Sequence, residues 1–114
     1  MMNHEKHAAM QECIDACHAC HATCEATIQH CLAAGGENAA VNHIRTMQDC
    51  AEICQTAANF MLRRSASSGQ LCAVCAEVCR ACAESCETMV DDAMMRECAD
   101  VCRRCAKAGE KIAA

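Results

Sequence analysis

The sequence predicts an all-α protein, an antiparallel up-down-up-down four-helix bundle with a cysteine-lined interior. Cysteines recur at steps of three and four residues, most regularly between Cys72 and Cys86, and residues with this spacing share one face of an α-helix. The 114 residues include no proline and only one aromatic residue, and alanine is abundant, which favours helix. The cysteine segments are joined by short breaks, and short connections make neighbouring helices antiparallel.

The first two predicted helices span about residues 3–33 and 39–64. The pair Gly35 and Gly36 ends the first helix, as glycine commonly does just past a helix end. Asn38 is the predicted N-cap of the second, because its side chain can accept a hydrogen bond from a free backbone N–H. At this length the chain is expected to form one domain, residues 1–114.

The third and fourth predicted helices span about residues 69–90 and 93–112. The segment Ser67–Gln70 resembles a capping box at the start of the third helix. Either Asp91 or Asp92 can cap the fourth. Each of the four helices therefore carries its cysteines along one face, which we call its seam. In a bundle the four seams face one another.

The cysteines must form the core of this bundle. Only fourteen residues are Leu, Ile, Val or Phe, fewer than the fifteen cysteines. Buried cysteine can act as a small hydrophobic residue or as a metal ligand. So many thiols on converging seams favour the second role, because alanine or valine would pack without the risk of oxidation. The candidate ligands are Cys13, Cys17, Cys20, Cys24, Cys31, Cys50, Cys54, Cys72, Cys75, Cys79, Cys82, Cys86, Cys98, Cys102 and Cys105.

Helix geometry favours metal binding over disulfides. Cβ atoms four residues apart on a helix lie about 5–6 Å from one another, whereas a disulfide needs about 3.5–4.5 Å. Two thiolates on one metal need sulfurs about 4.5 Å apart, twice a metal–sulfur bond of about 2.3 Å. The odd number of cysteines also fits poorly with complete pairing. Oxidation between facing helices stays open as an alternative.

Charge balance favours copper(I) among the soft metals. One Cu(I) per thiolate leaves a neutral interior and allows a capacity on the order of fifteen ions. Zinc prefers four ligands, so fifteen thiolates would hold only about four to seven zinc ions and usually retain buried negative charge. Multiple Cu(I) ions are therefore the predicted cargo, with a zinc store as the alternative.

Other classes of function receive less support. The net charge of −5 argues against nucleic acid and anionic membrane surfaces as partners, and no apolar run reaches the ~20 residues of a membrane span. The start of the chain has no apolar export signal, which predicts a cytoplasmic protein. The CxxC pair Cys17 and Cys20 lacks the βαβ setting of thioredoxins, and no cysteine has a dedicated base. We therefore predict a binding protein rather than an enzyme, with a thiol redox protein or a structural bundle as alternatives.

Four segments resemble the bacterial copper-storage proteins: CIDACHACHATC, DCAEIC, LCAVCAEVCRACAESC and RECADVCRRCA. The resemblance covers roughly residues 10–108 and includes both the order and the spacing of the segments. It implies Cu(I) storage by the fifteen cysteines, a cytosolic form and a homotetramer. The chain departs from the pattern at Ala57 and Gly109, seam positions where further cysteines could have stood.

The bundle topology gathers soft ligands at one end. The end of helix 1, the start of helix 2 and the corner between helices 3 and 4 supply His30, Cys31, His43, Met47, Met89, Met94 and Met95. Of these, His43 and the four methionines are the candidate ligands for copper entrance. The opposite end, with Met10, Phe60, Met61, Leu71 and Ile112, is predicted to be an apolar plug. Copper is expected to arrive near Cys86 and to fill the interior toward Cys72.

Overall fold

A computed structural model describes the backbone of residues 2–114 and the side chains from residue 4 onward. Within this range every regular secondary-structure element is a helix. The dimensions of the chain are 50 × 20 × 18 Å. The long dimension matches α1, because 33 residues at about 1.5 Å each span about 50 Å. The elements are α1 (Met2–Ala34), a short 3-10 helix (Gly36–Ala39), α2 (Val41–Leu62), α3 (Ser68–Glu87) and α4 (Ala93–Ala113).

Each α-helix packs against the helices before and after it, and α1 also packs against α4. This closed ring of neighbours is an antiparallel four-helix bundle, and it confirms the predicted fold class. None of the helices within residues 2–114 is long and apolar enough to cross a membrane.

The interior is built from sulfur and small side chains. All fifteen cysteines are buried, each at most 1% exposed. Alanines such as Ala58 and Ala83 fill the rest of the helix contacts, and the larger buried side chains include Ile14, Met47 and Met61. Small residues let the helices approach closely, and close packing at interior density is what keeps water out of a core.

The corner between the 3-10 helix and α4 differs from the prediction in one respect. Asn38 lies inside the 3-10 helix and does not cap α2, which is preceded by Ala40. Its amide instead donates to the Asp92 carboxylate at 3.0 Å. Asp92 itself caps α4 as predicted, because its other oxygen accepts from the backbone N–H of Met95 at 3.1 Å.

Two further predicted boundaries are corrected. Ser67 makes no side-chain cap at α3; the Ser65 hydroxyl instead accepts from the Ser67 backbone N–H at 3.1 Å. The third helix ends at Glu87 rather than near residue 90. The next residues turn back toward α4, with the Met89 N–H bonded to the Cys86 carbonyl at 3.2 Å.

The absence of a cysteine at position 109 has a packing reason. Gly109 is buried where α4 crosses α3. A Cβ atom on Gly109 would lie 3.1 Å from the Cys72 carbonyl oxygen and 3.5 Å from the Ala76 Cβ. A side chain at position 109 therefore requires the neighbouring backbone to shift by a few tenths of an ångström.

We expect Gly109→Val to lower the free energy of unfolding of the reduced, metal-free protein by about 1–3 kcal/mol, because overpacking forces the helices apart. Gly69→Ala is the matched control, since its added methyl group meets only the Ile112 carbonyl at 3.6 Å. The control should be neutral or stabilising by up to about 1 kcal/mol. Urea unfolding followed by circular dichroism measures both, and equal stabilities would contradict the packing explanation.

Candidate metal centre

The buried thiols form a continuous column along the bundle axis. The sulfurs include four sets of four, and within each set all four sulfurs lie within 4.8 Å of one another. The sets are Cys17, Cys54, Cys75 and Cys105; Cys20, Cys50, Cys54 and Cys79; Cys20, Cys24, Cys50 and Cys102; and Cys24, Cys82, Cys98 and Cys102. Each set shares at least one cysteine with the next. The thiol column is therefore connected from one set to the next without an intervening layer of other side chains.

The sulfurs in the thiol column are in contact but not bonded. Cys54 Sγ lies 3.7 Å from Cys75 Sγ and 3.6 Å from Cys79 Sγ, both on α3. It also lies 3.9 Å from Cys105 Sγ on the diagonally opposite helix. These separations are far longer than the about 2.05 Å of a disulfide. They approach the about 4.5 Å that separates two sulfurs bound on opposite sides of one metal, so bridging needs only small movements.

Hydrogen bonding and burial keep the thiols at the two ends of the column protonated. The pKa of Cys13 is raised to about 12, first by its hydrogen bond to Cys17 and then by burial. The pKa of Cys72 is raised by its hydrogen bond with Cys13 and by burial. Burial and the nearby Asp92 charge raise the pKa of Cys31. Deprotonation therefore requires a cation to replace the proton, because an unpaired thiolate in this interior is costly.

One end of the column carries a mixed group of soft donors. Cys31 Sγ lies 3.6 Å from His43 Nε2 and 3.4 Å from Met95 Sδ. His43 Nε2 lies 3.3 Å from Met95 Sδ. These three residues, the Cys31 triad, bring thiol, imidazole and thioether together in one buried cluster. Such a donor set suits a soft monovalent ion.

Ser85 orients the imidazole of the Cys31 triad. Its hydroxyl oxygen lies 2.6 Å from His43 Nδ1, so Nε2 is the nitrogen that faces the two sulfurs. Burial lowers the pKa of His43, which favours the neutral ring that a metal requires. Sequence reasoning missed Ser85, because it is not on the cysteine seam of α3 and no motif marks it.

The remaining predicted entrance residues are divided among three locations. Met47 is fully buried one helical turn after His43. Met89 is half-buried and lines a cavity of about 560 Å³ together with His30 and Asp92, whose side chains are paired at 2.7 Å.

Met94 does not join the Cys31 triad. It is 39% exposed and lines a separate cavity with residues of α1 such as Ala26. Successive residues on a helix are rotated by about 100°, so only one of Met94 and Met95 can face the interior. In the structure, Met95 is the one that faces the interior.

The opposite end is not the purely apolar plug that the sequence suggested. The Cys72 thiol donates to Met61 Sδ at 3.6 Å, and Met61 is fully buried. Phe60 is half-buried beneath the Arg63 guanidinium, which lies 4.7 Å from the ring centroid. The Arg64 guanidinium reaches Met10 Sδ at 3.2 Å. This end therefore combines a buried thioether–thiol contact with a cationic rim.

Three solved structures are similar to the chain over nearly its whole length. A protein from Nitrosospira multiformis is 48% identical, with a TM-score of 0.87, and the match covers 93% of this chain and 95% of that one. A Cu(I)-bound copper storage protein from Bacillus is 31% identical, with a TM-score of 0.87 and coverage of 93% and 99%. A cytosolic copper storage protein from Streptomyces lividans is 29% identical, with a TM-score of 0.88 and coverage of 95% and 94%.

The family comparison agrees with the geometry of the thiol column. No curated protein matches the chain in sequence. The family model described as copper storage protein matches residues 6–114, almost the entire chain. With a four-helix fold, a buried column of thiols and this match, the chain belongs to the copper storage protein family.

Proposed function

We propose that this protein stores Cu(I), with all fifteen cysteines as thiolate ligands inside the bundle. The observation that carries the proposal is the connected column of buried thiols, in which each Cu(I) ion can replace one proton and leave the interior neutral. The Bacillus relative is Cu(I)-bound. One structure of the Streptomyces lividans relative has five coppers, and another is of the protein loaded with 10 copper equivalents.

The overlap of the four-thiol sets favours copper over zinc. A tetrahedral zinc site uses four ligands of its own, but the four sets share Cys20, Cys24, Cys50, Cys54 and Cys102. At most two of the four sets can be filled without sharing a cysteine. Each such site would bury two excess negative charges, because four thiolates outweigh one Zn²⁺. Cu(I), which accepts two or three bridging thiolates, uses the same column without this cost.

Burial supports binding rather than catalysis as the role of the cysteines. Each is at most 1% exposed, whereas a nucleophilic thiol has to be accessible to its substrate. A cytoplasmic location is proposed because the Streptomyces lividans relative is a cytosolic protein. The homotetramer stays a proposal from the family resemblance.

We further propose that copper enters at the end of the Cys31 triad. The cavity there is lined by Asp91, Asp92 and Met89, so carboxylates at the surface precede thioether and thiol donors below. The opposite end presents Arg63 and Arg64, whose charges repel a cation. Entrance at the Cys31 end followed by filling toward Cys72 fits this polarity.

Anaerobic titration should show saturation near fifteen Cu(I) ions per chain. The protein has no Trp or Tyr, so the sulfur-to-copper absorption rises from an almost empty near-ultraviolet background. Retained copper is counted in competition with a strong Cu(I) chelator. Saturation at one or two ions would overturn storage, and displacement of copper by zinc would favour the zinc alternative.

Met95→Leu should slow the initial rate of Cu(I) loading on the order of tenfold, the effect typical of weakening the surroundings of a metal site. Leucine has nearly the volume of methionine, so packing is retained. Met94→Leu, one residue away but outside the triad, is the matched control and should load like the wild type. Stopped-flow absorbance gives the rates, and equal rates for the two variants would exclude the triad as the entrance.

Loading should release about one proton per Cu(I) at pH 7. The pKa of Cys13, raised to about 12, means that the metal-free protein holds this proton at neutral pH. Binding at such a thiol should therefore strengthen up to about tenfold per unit rise in pH. Titration in weakly buffered solution counts the protons, and chelator competition at pH 6, 7 and 8 gives the affinities. Affinities that do not change with pH would contradict thiol ligands.

A further inference from the structure

Two cysteines at the cationic end lie outside the four-thiol sets. Cys13 and Cys72 are fully buried, but neither belongs to a set of four mutually close sulfurs. The seam positions that could complete such a set are Ala57, which is fully buried, and Gly109, where a side chain would crowd the Cys72 carbonyl. With thiols alone, this end offers copper fewer ligands than the rest of the column.

A thioether occupies the place of the missing thiols. Met61 lies one turn after Ala57 on α2, is fully buried, and accepts a hydrogen bond from the Cys72 thiol at 3.6 Å. Cys13, on α1, lies close enough to Cys72 to be the first cause of the raised pKa of the Cys72 thiol. Three helices thus contribute one sulfur each to this end of the column.

The same thioether–thiol contact occurs at the other end. There the Cys31 thiol donates to Met95 Sδ at 3.4 Å, and Met95 is also fully buried. A leucine could fill either position, because exchange of leucine and methionine conserves volume. The thioether adds a neutral soft donor that leucine lacks.

The distance between the Cys72 and Met61 sulfurs is close to that of a three-coordinate site. Three sulfurs at about 2.3 Å from one metal lie about 4.0 Å apart. The Cys72–Met61 pair at 3.6 Å therefore needs to open by only about 0.4 Å. The Arg64 guanidinium, which donates to the Met61 carbonyl at 3.2 Å, places a positive charge at this end of the column.

We propose that Met61, Cys13 and Cys72 form a separate three-coordinate Cu(I) site that terminates the column at the cationic end. The inference rests on the proposed storage of Cu(I) and assigns Met61 as an additional, non-cysteine ligand. Copper in this site has two thiolates and one thioether, whereas copper within the four-thiol sets is held by thiolates alone.

The first test compares Met61→Leu with Met10→Leu. Met10 lies at the same end but contacts Arg64 instead of a thiol, so its replacement controls for the loss of a methionine. Each reduced, full-length variant is loaded anaerobically with Cu(I) and challenged with a strong chelator. Met61→Leu should retain about one copper fewer than Met10→Leu and the wild type. Equal retention by all three proteins would overturn the inference.

The second test needs no folded variant. Wild-type protein with ¹³C-labelled methionine methyl groups is titrated with Cu(I), and the Met61 methyl signal is assigned through its contacts with the Ala57 methyl group. Cu(I) is diamagnetic, so coordination should replace the Met61 signal with a new one while the Met10 signal stays in place. A Met61 signal that moves no more than that of Met10 would overturn the site.

The tests distinguish failure of the Met61 site from failure of the proposed copper storage. Wild-type saturation near fifteen copper ions with an unchanged Met61 signal would leave storage intact and remove the Met61 site. Wild-type saturation at one or two ions would remove storage itself.

Discussion

The burial of fifteen thiols in the bundle interior is the constraint on which the rest of the structure depends. A protonated thiol is a small apolar group that can form a core, and a deprotonated thiol in the same place is tolerated only with a cation beside it. Sulfur-to-sulfur contacts of 3.6–4.0 Å allow both states in nearly the same backbone. The metal-free protein is thus a packed bundle, and in the proposed function loading would replace protons with ions without creating a new cavity.

This constraint accounts for the unusual composition of the helices. Cysteine occupies the seam positions where other bundles have leucine or isoleucine, so the flanking positions must be small for the helices to reach one another. Ala58, Ala76 and Ala83 provide these contacts. Gly109 is the extreme case, where α4 approaches the Cys72 carbonyl so closely that a Cβ atom would lie only 3.1 Å from its oxygen.

The two ends of the column differ in charge but share a chemical feature. Carboxylates of Asp91 and Asp92 line a cavity at the Cys31 end, while Arg63 and Arg64 lie at the end near Cys72. At both ends a buried methionine sulfur accepts a hydrogen bond from the last thiol. In the proposed function, this difference in charge between the two ends would give filling a direction, and the thioethers would supply neutral soft donors where the thiols become sparse.

Periodicity in the sequence was sufficient for the fold, the four seams and the cysteines that face the core. Residues three or four positions apart lie on the same face of a helix, whatever the helix packs against. This spacing does not determine how far each helix is rotated or shifted relative to the next. Those parameters selected Met95 over Met94, placed Ser85 against His43, and brought Met61 to Cys72 in what the sequence suggested was an apolar plug. Distances between helices depend on packing of the whole bundle, and therefore only the tertiary structure decided which sulfurs and which imidazole nitrogen could meet at one ion.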